Sequence, residues 1–275
     1  MEVCRYSSAA EFLDATKNFR TLDPVRTGLI TSIANSVANG SRTYDGYFWW
    51  SISHGSQVVG LAIRTLPFGY VLSPMNPEAT EAIYSFIRVE DSAANEFAGP
   101  KEVIDSLVKF SAKPVSESEG ELIYECRNLI PVNPVGDFRL AQGSDFDLIF
   151  SWMNAFMTTT GLRVHDLEGL VKNALSARRY YLLFVNGIPV SMGGRSDIQN
   201  FEDFAIGRIG PIYTPEEFRK NGFASALTSE ITKILISQGA LPTLYTQASN
   251  PTSNKIYRDL GYSLVDENRR VVFTM

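Results

Sequence analysis

Residues 207–226 read GRIGPIYTPEEFRKNGFASA. An apolar, strand-like run stops at Gly210-Pro211 and resumes as Ile212-Tyr213-Thr214. A short polar loop follows, from Pro215 to Asn221. Gly222-Phe223-Ala224-Ser225-Ala226 then opens a long segment with helical apolar spacing. The order is strand, loop, helix N-terminus. The first backbone N–H groups of a helix have no internal acceptor, and the helix dipole favours negative charge there. Small residues at Gly222 and Ala224 let a ligand come close to those groups. The stretch therefore predicts a phosphate-bearing ligand at this helix end.

Downstream, Phe223 to Gln238 is expected to be helical, with Leu227, Ile231, Ile234 and Leu235 inward and Gly239 as its stop. Leu244 to Gln247 reads as a strand, and Asn254 to Leu260 as a short helix ended by Gly261. Tyr262 to Val265 and Val271 to Phe273 read as two separate closing strands. Upstream, Asp137 to Ala141 is a strand. A helix capped by Ser144 runs through Met157, with Met153 and Met157 on its apolar face. Asp166 to Arg178 is a second helix. Tyr180–Val185, the turn Asn186-Gly187 and Ile188–Gly193 form a hairpin, because Asn-Gly is the favoured two-residue turn.

The first 131 residues follow the same rhythm. Helices are expected at Ala9–Phe19 and Pro24–Ala38. Strands follow at Tyr47–Ser53, Gln57–Thr65 and Phe68–Leu72. Helices at Pro77–Val89 and Val103–Phe110 and a strand at Glu121–Cys126 complete the half. The run Tyr47-Phe48-Trp49-Trp50 reads as buried strand. The hairpins HGSQVVGLA and VNGIPVSMG lie about half a chain apart, which points to a duplication. Pro131-Val132-Asn133-Pro134-Val135-Gly136 has no helical period and reads as a joint. The expected layout is residues 1–131, a linker at 132–136, and residues 137–275. After its third strand the first half carries Ser73-Pro74-Met75-Asn76-Pro77, and proline offers no N–H. The phosphate site is thus expected in the second half alone.

Composition narrows the classes. The chain has 275 residues, 44% hydrophobic and 20% charged, an ordinary globular balance. A formal charge of −5 supplies no basic face, so neither a nucleic acid nor an anionic membrane is expected as partner. Cys4 and Cys126 stand far apart and in no metal-ligand spacing, which favours a reducing compartment. The N-terminal MEVCRYSSAAEF lacks the pattern of a secretory signal, and no apolar run reaches the length of a membrane span. The expected location is cytoplasmic. His54 and His165 are isolated and read as structural or exposed. No histidine is within sequence reach of Ser249, Thr252 or Ser253, so a serine nucleophile has no support.

Two segments carry a resemblance. Arg219-Lys220-Asn221-Gly222-Phe223-Ala224 fits a pyrophosphate signature of Arg or Gln, two residues, Gly, one residue, Gly or Ala. About thirty residues on comes Asn250-Pro251-Thr252-Ser253-Asn254-Lys255-Ile256-Tyr257, then Leu260-Gly261-Tyr262. On these residues the second half resembles the GCN5-related N-acetyltransferases (GNAT), most closely their FR47-like branch. For residues 1–131 the likeness is architectural, a degenerate copy without the loop.

The resemblance implies an α/β (α+β) fold of two tandem GNAT-like domains. Each would be a mixed, mostly antiparallel sheet flanked by helices, with a splayed strand pair in the second. It implies acetyl-CoA as cosubstrate and no metal. Backbone groups of Ile212, Tyr213 and Thr214 would bond the pantetheine arm. Amides from Lys220 through Asn221, Gly222, Phe223, Ala224 and Ser225 would hold the pyrophosphate, with Arg219 and Lys220 adding charge. Asn250 would contact the pantetheine, Ile212 N–H would stabilise the oxyanion, and Tyr257 would protonate the leaving thiolate. The implied acceptor is a primary amine of a small molecule or peptide, and the protein would act as a monomer or homodimer. Many relatives carry a carboxylate on the strand before the bulge. Ala205 to Ile209 offers none, and only Glu202 and Asp203, at the strand's start, are candidates through water. Arg208 suggests instead the selection of a carboxylate-bearing acceptor. A non-catalytic acyl-CoA sensor, a transferase with a longer acyl-CoA donor and an aminoacyl-tRNA-dependent transferase remain as alternatives.

Overall fold

The computed structural model describes residues 1–133 and 135–274; Pro134, within the expected linker, lies outside them. Contacts divide the chain into two compact units. The first comprises Met1–Ile123, Thr246–Ser249 and Val265–Met275; the second comprises Tyr124–Tyr245 and Asn250–Leu264. The layout drawn from sequence, 1–131 and 137–275, runs straight along the chain. The contact division differs in giving residues from 265 onward to the first unit.

The first unit holds β1 (Glu2–Arg5), α1 (Ala9–Ala15), α2 (Lys17–Leu22), α3 (Gly28–Ala38), β2 (Tyr47–His54), β3 (Gln57–Thr65), β4 (Tyr70–Leu72), α4 (Pro77–Glu90), β5 (Glu96–Pro100), α5 (Lys101–Ser111) and most of β6 (Val115–Glu125). Strands β1 to β5 lie in order, antiparallel except for the parallel pair β4–β5. Side chains alternate between the faces of a strand, and the aromatic run shows it. Trp49 packs with Phe12, Ile30, Ala34, Leu61 and Ile63 on one face. Trp50 packs with Tyr70, Ile83, Ile87, Phe97 and Leu107 on the other. Both indoles are buried, as expected of a core strand.

The second unit holds β7 (Asp137–Leu140), α6 (Phe146–Thr160), α7 (Leu167–Ser176), β8 (Tyr180–Val185), β9 (Ile188–Arg195), β10 (Gln199–Asn200), β11 (Ala205–Tyr213), α8 (Phe223–Ser237), most of β12 (Leu241–Gln247) and α9 (Pro251–Asp259). Its strands run β7-β8-β9-β11-β12, with β10 a short partner of β11. They too are antiparallel except for the last pair, β11–β12. The two series correspond strand for strand, and α4 and α8 are the corresponding crossovers into the parallel strand. Helix α8 lies close on its sheet. A Cβ on Gly207 would be 2.5 Å from Leu235, and one on Gly193 2.7 Å from Ile231. That contact fixes which face of β11 looks at α8.

The structure corrects the sequence reading at several points. The helix expected at Ala9–Phe19 breaks at Thr16 into α1 and α2, and the one expected from Pro24 starts at Gly28. Ser144 does not cap α6, which starts at Phe146 after a 3-10 turn at Gly143–Asp145. The short strands β1 and β5 have little pattern of their own and went unassigned. Helix α9 begins at Pro251 rather than Asn254, because Asn250 accepts the Ser253 N–H at 3.0 Å and proline occupies the first turn. The two closing strands are one, β13 (Ser263–Phe273), continuous through Asp266-Glu267-Asn268-Arg269-Arg270. In the first unit it pairs antiparallel with β5. Its charges are met there: Asp266 by Arg26 at 2.5 Å, Arg269 by Asp105 at 2.6 Å, and Arg270 by Glu96 at 2.6 Å. A charged run joins a strand when its neighbours neutralise it.

No helix among the described residues is long and apolar enough to cross a membrane. Among them, no group of three or more His, Cys, Asp or Glu residues is placed to hold a metal ion.

Arg270 and Glu96 are both shielded by the strands they join, so removing one leaves the other's charge partly buried. Arg270→Ala should lower the unfolding free energy by about 1–2 kcal/mol, at the low end of a buried-pair loss because both groups retain some solvent. Urea denaturation reads it as a lower midpoint at unchanged slope, and Glu96→Gln in the Arg270→Ala background should recover part of the loss. An unchanged midpoint would show that the pair contributes nothing.

Candidate functional site

The interruption at Gly210-Pro211 is a β-bulge. On β9, Arg195 faces Ile209 and Gly193 faces Ile212, so Gly210 and Pro211 together oppose Gly194. Gly194 has no room for a side chain: a Cβ there would sit 2.8 Å from the Tyr180 ring and 3.2 Å from the Gly210 carbonyl. On its other edge β11 pairs with β12 only from Ile206 to Ile209. Beyond the bulge, Ile212 and Tyr213 keep β9 on one side and have no strand partner on the other among the described residues. That edge offers backbone groups to an extended ligand.

Ser191, which the sequence reading passed over, locks the strand past the bulge. Its hydroxyl donates to the Tyr213 carbonyl at 3.0 Å and lies 2.9 Å from the Thr214 hydroxyl. The signal was available: a serine between Val190 and Met192 in an apolar strand, here fully buried. Side-chain alternation and the bulge place Ile212 toward α8, since Gly193 opposite it abuts Ile212 and Ile231. Tyr213 takes the other face, 6.1 Å ring to ring from Trp152 of α6.

The loop after β11 is knitted through its carbonyls. Arg219 Nε donates to Thr214 O at 3.1 Å, and Asn221 Nδ2 donates to Phe218 O and Arg219 O, each at 3.1 Å. Phe218 N–H and Arg219 N–H close a 3-10 turn at Glu216–Phe218. Lys220 and Gly222 both adopt left-handed backbone, at φ 66° and 78°. For lysine this costs about 1–2 kcal/mol. The first amide to bond back into α8 is Ala226, to Gly222 O. Among the described residues the amides of Lys220 through Ser225 donate to no acceptor. The first turn of α8 has no side-chain cap and no acidic residue. Around Gly222 the space where a Cβ would stand is open. Carbonyls consumed and amides unspent make an anion-binding concavity. Arg219 and Lys220 are exposed beside it. These features suit a phosphate-bearing anion.

The corresponding helix of the first unit is closed to an anion. Asn76 Oδ1 accepts the Ala79 N–H at 2.8 Å, proline stands in the first turn, and Glu78 adds negative charge. Strands β4 and β5 also stay together to their ends, since a Cβ on Gly99 would lie 2.7 Å from the Leu72 carbonyl.

Asn250 and Tyr257 share α9. The Asn250 carbonyl oxygen is engaged as the helix cap, which leaves its amide NH2 as the group able to face a ligand. The Tyr257 ring lies 6.3 Å from Tyr124 and 6.1 Å from Tyr262. Burial pushes its phenol up to about 12, with a hydrogen bond to Ser253 pulling the other way. Tyr262, 2.6 Å from the Thr232 hydroxyl, is likewise raised by burial. Tyr257 is therefore a protonated donor throughout the neutral range.

Glu202 and Asp203 sit at an exposed turn before β11. From Ala205 to Gly210 the strand advances five residues, about 17 Å, so neither reaches the bulge through one water. Three other carboxylates of the unit are committed. Asp145 pairs with Arg139 at 2.7 Å, Asp197 with Arg179 at 2.9 Å, and Asp166 caps α7.

Residues 198–271 match the family model described as FR47-like protein. Among curated proteins, none matches the chain by sequence. Solved structures do. A GNAT-family acetyltransferase from Colwellia psychrerythraea aligns at TM-score 0.62 and 12% identity, over 100% of both chains. A Drosophila protein aligns at TM-score 0.68 and 8% identity, covering 99% of this chain and 98% of its own. A tandem GNAT protein from the clavulanic acid biosynthesis pathway aligns at 0.59 and 11%, covering 98% and 97%. Identities this low speak to the fold, and the correspondence of β1–β5 with β7–β12 agrees with it. The chain has a tandem GNAT fold, with an FR47-like segment at residues 198–271.

Proposed function

We propose that the protein is an acetyl-CoA-dependent N-acetyltransferase acting on a primary amine of a small molecule or peptide. The observation that supports it best is the pairing of an open strand edge at Ile212–Tyr213 with six unspent amides at Lys220–Ser225. Acetyl-CoA supplies the acyl group as a thioester. The chain's residues bind and orient it. Lys220 to Ser225 hold the pyrophosphate, helped by the dipole of α8 and the charges of Arg219 and Lys220. Ile212, Tyr213 and Thr214 align the pantetheine arm as an added strand, and Asn250 donates its amide to it. Ile212 N–H, just past the bulge, faces the charge that develops on the acyl oxygen. Tyr257 donates a proton to the departing sulfur. A C–N bond replaces the C–S bond; the proton leaving nitrogen passes to water, the Tyr257 proton goes to sulfur, and water returns one to the phenol.

β11 carries no carboxylate to accept the amine's proton, and in this reading the acceptor enters already neutral. The same lack favours a second reading, a module that binds an acyl-CoA without turning it over. Release of free CoA in the presence of amines separates the two once acetyl-CoA binding is measured.

Three outcomes test the assignment. Gly222→Asp places a negative charge among the unspent amides and should weaken acetyl-CoA binding at least ~100-fold by calorimetry. Gly222→Asn has the same shape and tolerates left-handed backbone, and should weaken it far less. Equal affinities in the wild type and both variants would sink the phosphate site. Tyr257→Phe should lower kcat by about 100-fold at near-constant acetyl-CoA affinity; an unchanged kcat removes the proton donor. In the wild type, the acid limb of kcat/KM should follow the acceptor's own amine, moving up about 2 units from an α-amine to a lysine-type amine. A limb fixed at one pH for both acceptors would reveal an enzyme base. With its phenol pushed up to about 12, Tyr257 should add no alkaline fall below about pH 11.

A further inference from the structure

Arg208 stands on β11 two residues before the bulge and is half-buried. Its guanidinium lies 5.3 Å from the centroid of the Tyr245 ring on β12. Its backbone is fixed on the opposite edge: its N–H donates to Ser196 Oγ at 3.0 Å, and its carbonyl accepts the Ser196 N–H at 2.8 Å. The residue is held as firmly as the strand itself.

The guanidinium is uncommitted. Among the described residues it meets no carboxylate and no hydrogen-bond acceptor. Other shielded arginines have partners, although Arg179, paired with Asp197 and Asn173, keeps a buried Nε without one. Arg26, Arg64 and Arg270 pair with acids, Arg20 bonds Thr16 and the Leu13 carbonyl, and Arg195 bonds Tyr181 and the Ser196 carbonyl. None of its nitrogens is sealed from solvent, so its five N–H donors are open to a ligand arriving from outside. The Tyr245 ring offers the guanidinium no acceptor oxygen in this contact, which is to the ring itself, so its donors stay free for the fork-to-fork geometry that a carboxylate matches.

Position links this cation to the acceptor. Gly207 faces α8, so Arg208 projects from the opposite face of β11, the face on which Tyr213 meets α6. Helix α8 closes the first face, so an acceptor reaches the bulge from the second. Two residues of strand, about 7 Å, separate Arg208 from Gly210. The arginine's own length spans much of that gap, so a few bonds suffice between the acceptor's amine and its anionic group.

We propose that Arg208 selects the acceptor and that the acceptor is an amine bearing a carboxylate, a free amino acid or a short relative. The proposal rests on the acetyltransferase reading and specifies its substrate class. The carboxylate is bound and not altered.

The test compares amino acids with their carboxamides, alanine and β-alanine against alaninamide and β-alaninamide, in acetyl transfer. It is joined by calorimetric titration of N-acetylalanine and N-acetylalaninamide in the presence of CoA. In the wild type the acids should be favoured by about 10- to 100-fold in kcat/KM and in affinity. In Arg208→Gln that preference should fall to near unity through KM, while acetyl-CoA affinity and thermal midpoint stay constant. Arg208→Lys should keep part of it. Equal use of acids and amides by the wild type overturns the proposal, and so does a preference that survives in Arg208→Gln. If transfer is absent, the titrations still decide: an N-acetyl acid that binds no better than its amide overturns it. Failure of the wild type to bind acetyl-CoA overturns the acetyltransferase reading instead.

Discussion

The second unit depends on two residues facing one. Gly210 and Pro211 opposite Gly194 shift the register of β11 by one position, and three consequences follow. Pairing with β12 ends at Ile209. The strand beyond carries Ile212 toward α8 and Tyr213 toward α6. Its exit at Thr214 is aimed into the loop that ends at α8. The bulge is supported rather than merely tolerated. Gly194 yields space to it, and the buried Ser191 hydroxyl ties down the strand that leaves it. An irregularity held from both sides in this way is a fixed part of the site.

The first unit shows what the same topology does without these devices. Strands β4 and β5 repeat the parallel pairing of β11 and β12 but remain closed, with Gly99 against the Leu72 carbonyl. Helix α4 repeats α8, yet Asn76, Pro77 and Glu78 satisfy or repel at its N-terminus. Capping groups stabilise a helix by the same hydrogen bonds that a phosphate would otherwise accept. The uncapped start of α8 gives up that stabilisation, and the left-handed Lys220 adds strain beside it. A local sacrifice of stability is common where a fold keeps groups ready for a ligand.

Much of this was legible from short-range pattern. The bulge announces itself as Gly-Pro in an apolar run, the loop as a glycine after charged residues, and the hairpin as Asn-Gly. Each depends on residues adjacent in sequence. What stayed hidden depends on distant partners. The charged middle of β13 resembles a loop until Arg26, Glu96 and Asp105 stand beside it, more than 150 residues away in the chain. The capping of α9 by Asn250 shares its residue with an expected ligand contact, and spacing cannot separate two uses of one side chain. The isolation of the Arg208 guanidinium is a fact about its surroundings, which no local pattern encodes.

The pairing of β13 with β5 also sets an order of events for the growing chain. Translation supplies residues at about 5–20 per second and domains tend to fold as they emerge. The first unit cannot finish in that way. Strand β5 is complete by Pro100, but its neighbour is not made until residue 273, so one edge of its sheet waits for roughly 170 residues. Such an edge is a template for intermolecular pairing. The long wait makes closure of the first unit a late, high-contact-order step. A ribosome stalled midway through the second half therefore presents an incomplete first half, the species on which chaperones would act.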